Sequence, residues 1–414
     1  MKLEFSDVGD FLIKKLIQRL VRSQRVGVAL VSNGLVSIAS FLLSISVART
    51  TSIEVFAEFS FAMVSYIFLT GLNRAALTNT ALSQPEDKDS YFRSTNRTVL
   101  VAIIAMVSIA VWAATSDNSF LMVLSLSLPG LMLLDHIRTY NSAAEKPLLS
   151  LAFCAVWSVV TGFASLLSFF YDVKPLLVFI FWAASGSACG LAAAAASRVS
   201  LIPKWDKQRT ETSAAVVFSA DYLVGAGGAQ LTTGLLGVLA DTRILGAIRG
   251  SGTLLGPVNL VSTTARSLLL PFLSRSSNSD AGQFKTAVAA TLVQASFLAP
   301  LLVALQFIPN ELGMQLLGDT WGIASLAILP MSIDALFNVL MSTAIAGHRV
   351  SFAGSRSLII RLAIGIPRPF IVLYCAVVWG VLGAAWSMAC IAAVSSVAWW
   401  ISYYFLCNKE IESS

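Results

Sequence analysis

Long apolar runs alternate with short polar connections from one end of the chain to the other. They lie near 27–48, 54–80, 98–115, 120–142, 149–170, 175–197, 214–240, 244–273, 286–307, 321–345, 358–379 and 382–406. Each holds about the 20 apolar residues a helix needs to cross a bilayer, so the pattern predicts twelve spanning helices. The last two runs nearly merge, and Trp379–Gly380 must supply the turn between them. No connection is long enough for an inserted soluble domain. Residues 6–22 read differently. Leu12, Ile13, Leu16, Ile17 and Leu20 share one helical face, and Lys14, Lys15, Gln18 and Arg22 share another. That suits a helix lying on an anionic inner leaflet, or a soluble lead-in helix. Its charged region is too long for a cleavable signal peptide.

Composition makes the membrane class firm. Of 414 residues, 56% are hydrophobic and 12% charged, about half the roughly 25% charge of soluble domains. Mean hydropathy is +0.77. The five cysteines (Cys154, Cys189, Cys375, Cys390, Cys407) are scattered and form no C-x-x-C pair. They read as small core residues rather than a disulfide framework or zinc site. His136 and His348 lie far apart, so no metal or cofactor is expected. No Walker loop is present, and nothing points to nucleic acid. Asp87-Lys88-Asp89 reads as a solvated charge cluster.

Net charge is +6, and its placement orients the chain. With the N-terminus in the cytoplasm, the outer connections hold only Arg49, Lys174 and Arg243, while the other basic loop residues fall inside. The positive-inside rule favours this arrangement, with both termini cytoplasmic. Trp399, Trp400, Tyr403 and Tyr404 would form an aromatic belt at the last inner helix end.

The chain also repeats itself. Residues 52–84 align without gaps onto 243–275, so that Ile53, Ser60, Leu69, Leu77, Leu82 and Ser83 meet Ile244, Ser251, Leu260, Leu268, Leu273 and Ser274. Leu128–Pro129 in the fourth run echoes Leu329–Pro330 in the tenth. A six-helix period implies two lobes of like orientation, related about an axis along the membrane normal. The expected fold is an all-α polytopic membrane protein of about twelve helices in two six-helix parallel-repeat lobes around a central cavity. Its parts are an amphipathic start (1–25), an N-lobe (26–197), a cytoplasmic linker (198–213), a C-lobe (214–406) and a cytoplasmic tail (407–414).

Ionisable groups inside a bilayer are costly and mark candidate sites. Here they are Glu58, Arg74, Asp135, Asp221, Arg249, Arg266, Asp334, Arg361 and Arg368. Arg74 and Arg266 fall one position apart in the repeat alignment. They would face a shared cleft and bind a pyrophosphate, or else snorkel to the inner headgroups. Arg368 sits mid-run between Pro367 and Pro369. Kinked backbone there favours a cavity-facing role over a buried ion pair. Arg361 joins the anion-binding set. Asp221 and Asp334 are possible partners of Arg368, or sites for a proton or sodium ion that drives transport. Glu58 and Arg249 align with each other, which suggests an ion pair between lobes at the outer side. Gly246/Gly250, Gly252/Gly256 and Gly186/Gly190 are G-x-x-x-G pairs that permit close helix contact.

Two segments carry a family resemblance: SVARTTSIEVFAEFSFAMVSY (46–66) and LLGVLADTRILGAIRGSGTLLGPVNLVSTTARSLLLPFLSR (235–275), the latter ending in Leu270-Pro271-Phe272-Leu273-Ser274. With the two-lobe pattern they resemble polysaccharide flippases of the O-antigen type, in the multidrug/oligosaccharidyl-lipid/polysaccharide exporter superfamily. The glycine usual after the first arginine is absent (Glu54-Val55-Phe56-Ala57-Glu58). The resemblance implies transport of an undecaprenyl-pyrophosphate-linked oligosaccharide from inner to outer leaflet of a bacterial inner membrane, for surface polysaccharide synthesis and without catalysis. Two other readings stay open. A multidrug extrusion antiporter would expel organic cations and should have an acidic or aromatic cavity. A membrane-embedded acyltransferase or ligase would need a poised base, and Asp135–His136 is its candidate.

Overall fold

The computed structural model describes residues 27–28, 31–83, 87, 89–143, 147–171, 173–199, 201–205, 209–262, 273, 280–351 and 354–411. The expected N-terminal surface helix, Arg266 and all of the Leu270–Ser274 motif except Leu273 lie outside them. The described chain is helical throughout, with no strand among these residues.

The first six helices follow the apolar runs closely. They are α1 (Val31–Thr50), α2 (Ile53–Leu82), α3 (Ser90–Ser116), α4 (Ser119–Ala143), α5 (Pro147–Phe170) and α6 (Pro175–Ala196). Ser52 caps α2 by accepting from the Val55 amide, which satisfies one of the free donors of a helix start. Pro175 opens α6 at a position where its missing N–H costs nothing. Asp117 closes α3 in the left-handed conformation, φ 51°, a common helix ending.

Later helices are interrupted. Helix α7 (Arg209–Val224) bends by 49° at Gly225 into α8 (Ala226–Leu235), which ends in a π turn, Leu236–Ala240. Helix α9 (Thr242–Leu254) bends by 59° into α10 (Gly256–Ser262). There Pro257 lacks the amide that would continue the ladder. Helices α11 (Asp280–Gln306), α12 (Asn310–Leu317) and α13 (Trp321–Val350) follow. Last come α14 (Gly354–Gly365) and α15 (Pro367–Ile411).

Helix α15 is broken at Gly380, φ 63°, ψ −142°. A β-carbon on Gly383 would sit on the carbonyl of Cys375. In a straight helix residues eight apart are about 12 Å distant, so the chain doubles back at Gly380, where the sequence placed its turn. Nine of the described helices are long and apolar enough to cross a membrane, eleven if each bent pair makes one span. The chain is a multi-pass membrane protein.

Helices α1–α6 share one large buried core, with a smaller cluster of Val99, Leu133, Ile137, Ala193 and Ala194 beside it. Phe59, Phe120, Phe179 and Trp182 pack ring on ring with centroids 5.1–5.8 Å apart, and the Trp157 indole donates to the Trp182 carbonyl at 2.9 Å. Gly190 brings α6 against the carbonyl of Gly130 in α4, the close approach expected of Gly186/Gly190. Leu317, Trp321 and Ala324 from the later helices join this core. Those later helices otherwise divide their buried residues among three smaller clusters.

The aromatic belt is only half realised. Trp399 and Tyr403 are buried beside His348, while Tyr404 is exposed. Gly347 leaves room for the Tyr403 ring, and that vacancy draws the tyrosine inward. Cys390 is likewise on the surface rather than in the core, unlike Cys154, Cys189 and Cys407.

Candidate functional site

The interrupted helices surround a cavity of about 790 Å³. It lies toward the end of the bundle where α2 and α13 finish and α7 and α14 begin, called the basic end below. Each wall follows from helical spacing. Asn338, Met341, Ser342, Ile345, Ala346 and Arg349 line it from α13 at intervals of three and four residues, and Gly71, Arg74 and Ala75 do so from α2. Phe218, Asp221, Tyr222 and Gly225 come from α7 and its break, and Arg361, Gly365 and Arg368 from α14 and the start of α15.

Three irregularities meet here. Helix α2 widens into a π turn over Arg74–Thr78, a feature that recurs at functional sites. The α7 break at Gly225 and the α14 end at Gly365 touch. A β-carbon on Gly225 would stand 3.5 Å from Arg361 Nη1, and one on Gly365 would overlap the Val224 carbonyl. Tyr222 ties α7 to α2, its hydroxyl donating to the carbonyls of Ile67 and Phe68 at 3.3 and 3.2 Å. Only glycine at 71 leaves space for that ring.

Among the described residues, four arginines line the cavity: Arg74, Arg349, Arg361 and Arg368. The carboxylate among its lining residues is Asp221. Arg361 Nη1 binds Asp221 Oδ1 at 2.5 Å, with the acid side chain 46% exposed. Arg74 grips Asp135 with two bonds, Nη2–Oδ1 at 2.5 Å and Nε–Oδ2 at 3.1 Å. Arg138 adds a third, Nη2–Oδ1 at 2.9 Å. Two guanidiniums on one buried carboxylate leave a surplus positive charge at the cavity wall, where 40% of the Arg74 side chain is exposed.

Asp334 sits behind Asn338, whose amide donates to Oδ2 at 2.9 Å. Its Oδ1 and the Nε of Arg368 are both buried without a hydrogen-bond partner among the described residues. The sequence offered Asp221 or Asp334 as partner for Arg368. Asp221 pairs with Arg361 instead, because α7 and α14 touch beside it. Arg74, Arg361 and Arg368 all line this cavity, while Arg266 falls outside the described residues.

The expected Glu58–Arg249 ion pair does not form. Glu58 lies on the exposed face of α2, and Arg249 Nε is buried with no described partner. The alignment matched Ile53 with Ile244, yet Gly246 is the residue that packs on Ile53. The ion pair made between these two helices is Arg243 Nε–Glu54 Oε1 at 3.0 Å.

Asp135 and His136 lie in separate hydrogen-bond networks. Asp135 is held by two arginines. The His136 ring is fully buried, with Thr78 Oγ1 at 2.8 Å from Nδ1 and Thr95 Oγ1 at 3.2 Å from Nε2. Neither lines the cavity. The Asp87 cluster is partly paired. Arg93 Nη2 lies 2.5 Å from Asp87 Oδ2, and this contact holds the Asp87 carboxyl below its ordinary value. Arg93 and Arg97 also bind buried Glu211 at the start of α7.

Sequence reasoning missed Arg349, taken as a loop residue, and Tyr222. The signal for Arg349 was present: it continues the α13 stripe that begins at Asn338.

No protein-family model matches the sequence, and no curated protein sequence matches it. Solved structures do match over most of the chain. An inward-facing multidrug resistance MATE family transporter of the MOP superfamily aligns at TM-score 0.68 with 9% identity, covering 93% of this chain and 99% of that one. The lipid II flippase MurJ, in an inward closed conformation, aligns at TM-score 0.66 with 12% identity, covering 90% and 86%. A MOP superfamily transporter from Pyrococcus furiosus, described as having a binding pocket of reversed polarity, aligns at TM-score 0.59 with 10% identity, covering 94% and 95%. The chain has the fold of MOP superfamily transporters.

Proposed function

We propose that this chain is an alternating-access flippase for a lipid-pyrophosphate-linked oligosaccharide, working in a bacterial inner membrane with its basic end and both termini in the cytoplasm. It would cross the membrane twelve times, counting the legs of α15 on either side of Gly380 separately. Its two six-helix lobes would rock about the cavity to expose it alternately. The fold hosts a lipid II flippase and multidrug transporters alike, so the choice between them rests on the site.

The observation that carries the reading is the charge of the cavity: four lining arginines against one carboxylate, itself ion-paired. Counting Arg138, the buried Asp135 and the half-buried Asp334 as well, five guanidiniums face three carboxylates, and the balance stays positive. Arginine remains charged at any working pH and binds phosphate with two parallel bonds. Such bonds are stronger in a site of low dielectric. A sugar-pyrophosphate cannot cross hydrocarbon unaided. Here its anionic head would occupy the cavity while its tail stays in the bilayer. Organic cations would meet repulsion in the same place, which disfavours the antiporter reading. Asp334, with one oxygen unpartnered among the described residues, is the candidate for a coupling proton or sodium ion.

The test is mass spectrometry of lipid-linked sugars in cells with and without the chain. A flippase predicts that an undecaprenyl-pyrophosphate oligosaccharide accumulates in its absence and that Arg368→Ala reproduces the accumulation. Losing a charged hydrogen bond costs about 1.5–3 kcal/mol, or roughly 10- to 150-fold in head-group affinity. An unchanged lipid pool together with new sensitivity to organic cations would replace this reading with the antiporter.

A further inference from the structure

A second cleft, of about 340 Å³, opens on the surface of the bundle between α14 and the last leg of α15. Arg356, Ile359, Ile360, Ser402 and Phe405 line it. Ile360 also lines the basic cavity, so the two spaces meet at one side chain. The cleft wall is apolar, with Ile359 66% and Phe405 62% exposed. Its polar members differ in availability. The Ser402 hydroxyl is engaged by His348 Nε2 at 3.0 Å, whereas Arg356 makes no ion pair among the described residues.

Inside a bilayer an apolar cleft gains little by shedding lipid, because lipid tails are as apolar as its own walls. It selects instead by what it adjoins. A cleft that carries one guanidinium and shares Ile360 with a cavity lined by four more fits a molecule that is an apolar chain at one end and a phosphate at the other. We propose that this cleft seats the head-proximal part of the transported lipid's chain. The head enters the cavity past Ile360, and Arg356 is the first guanidinium its phosphate meets. The inference rests on the anionic-lipid reading above and adds where the chain sits and by which side chain it passes.

The experiment uses full-length protein in phosphatidylcholine nanodiscs. The probe is undecaprenyl pyrophosphate with a diazirine near its head, and adducts are mapped by mass spectrometry. Label on the segments holding Ile359 and Phe405, competed by unlabelled undecaprenyl pyrophosphate and not by phosphatidylglycerol, is the expected result. Ile360→Trp should close the junction and lower that label by about tenfold, the effect of roughly 1.4 kcal/mol. Its unfolding temperature should match that of wild type, which shows that the variant folds. Equal competition by phosphatidylglycerol would overturn the proposal, since the cleft would then hold bulk lipid. Absence of label there, with pyrophosphate binding still lost in Arg368→Ala, would overturn it too and leave the anion reading standing. Failure of wild type to bind pyrophosphate at all would remove both.

Discussion

Helices α1–α6 bury one large cluster, from Leu43 through Phe59, Leu124 and Trp157 to Phe179 and Trp182, and a small one around Leu133 and Ile137. Helices α7–α15 divide theirs among three clusters, centred on Ala384, Trp399 and Leu302. The backbone differs in the same sense. The first six helices run unbroken apart from the π turn of α2, while the later ones are interrupted at Gly225, Leu255, Ile366 and Gly380. Close-packed cores resist gradual deformation, and sharp helix bends have local causes such as glycine and proline. The contrast assigns rigidity to one half and adjustability to the other. Most of the cavity wall belongs to the adjustable half, with Arg74 and its neighbours supplied by the rigid one.

The sharpest way to break this comparison is to truncate one side chain in each half. Trp182 is 1% exposed and touches Tyr66, Trp157 and Phe179. Trp182→Ala should cost on the order of 2 kcal/mol in thermal unfolding in micelles. Water-soluble cores lose roughly 3–5 kcal/mol for such a change, but burial in a membrane protein lacks the transfer term. Leu236→Ala, fully buried in a smaller cluster, should cost less. Equal losses would mean that the two halves are packed alike.

Adding bulk probes the same contrast at slightly smaller scale. Overpacking costs about 1–3 kcal/mol. A β-carbon on Gly186 would stand 2.5 Å from Leu131 Cδ2 and 2.7 Å from Trp157 Nε1. Gly186→Val should therefore lower stability and leave pyrophosphate binding unchanged. Gly365→Val presses on Val224 at the cavity wall and should alter binding with a smaller loss of stability. A variant pair that moves both readouts together would erase the distinction. Gly380→Ala should cost about 1–3 kcal/mol, since its φ/ψ belongs to glycine, and would show as a lowered unfolding temperature.

Much of the fold was legible because a bilayer imposes one strong rule, a long apolar run for each crossing. Helix α2 was expected over 54–80 and spans Ile53–Leu82. The breaks were only half legible. Gly225-Ala226-Gly227-Gly228 and Gly256-Pro257 mark two of them, yet Pro129 and Pro330 lie inside unbroken helices. A proline removes one hydrogen bond, and packed neighbours decide whether the helix bends. Site chemistry divided similarly. Mid-membrane arginines announced themselves by their cost, but their partners did not. Arg74 and Asp135 lie 61 positions apart, and no local pattern links residues so distant. Arg349 escaped because charge near a helix end reads as loop.

The smallest expected effect concerns the contact between the two halves at the end opposite the cavity. There Gly246 sets α9 against Ile53 of α2, with Ile53 Cγ1 at 2.9 Å from a β-carbon placed on that glycine. Beside it the Arg243–Glu54 pair is 60% and 48% exposed. If charge held this end shut, Glu54→Gln and Arg243→Gln would each shift the protein toward opening, and the double variant would match either single one. Exposed pairs contribute little, because water screens them and two side chains must be ordered to form them. Fixed backbone contact through a small residue carries no such penalty. The double-mutant cycle should thus be additive within error when labelling of Ser251→Cys is followed, since that residue is fully buried. Gly246→Val alone should raise the labelling. Coupling between the two charge variants would transfer the role of the latch from the glycine to the ion pair.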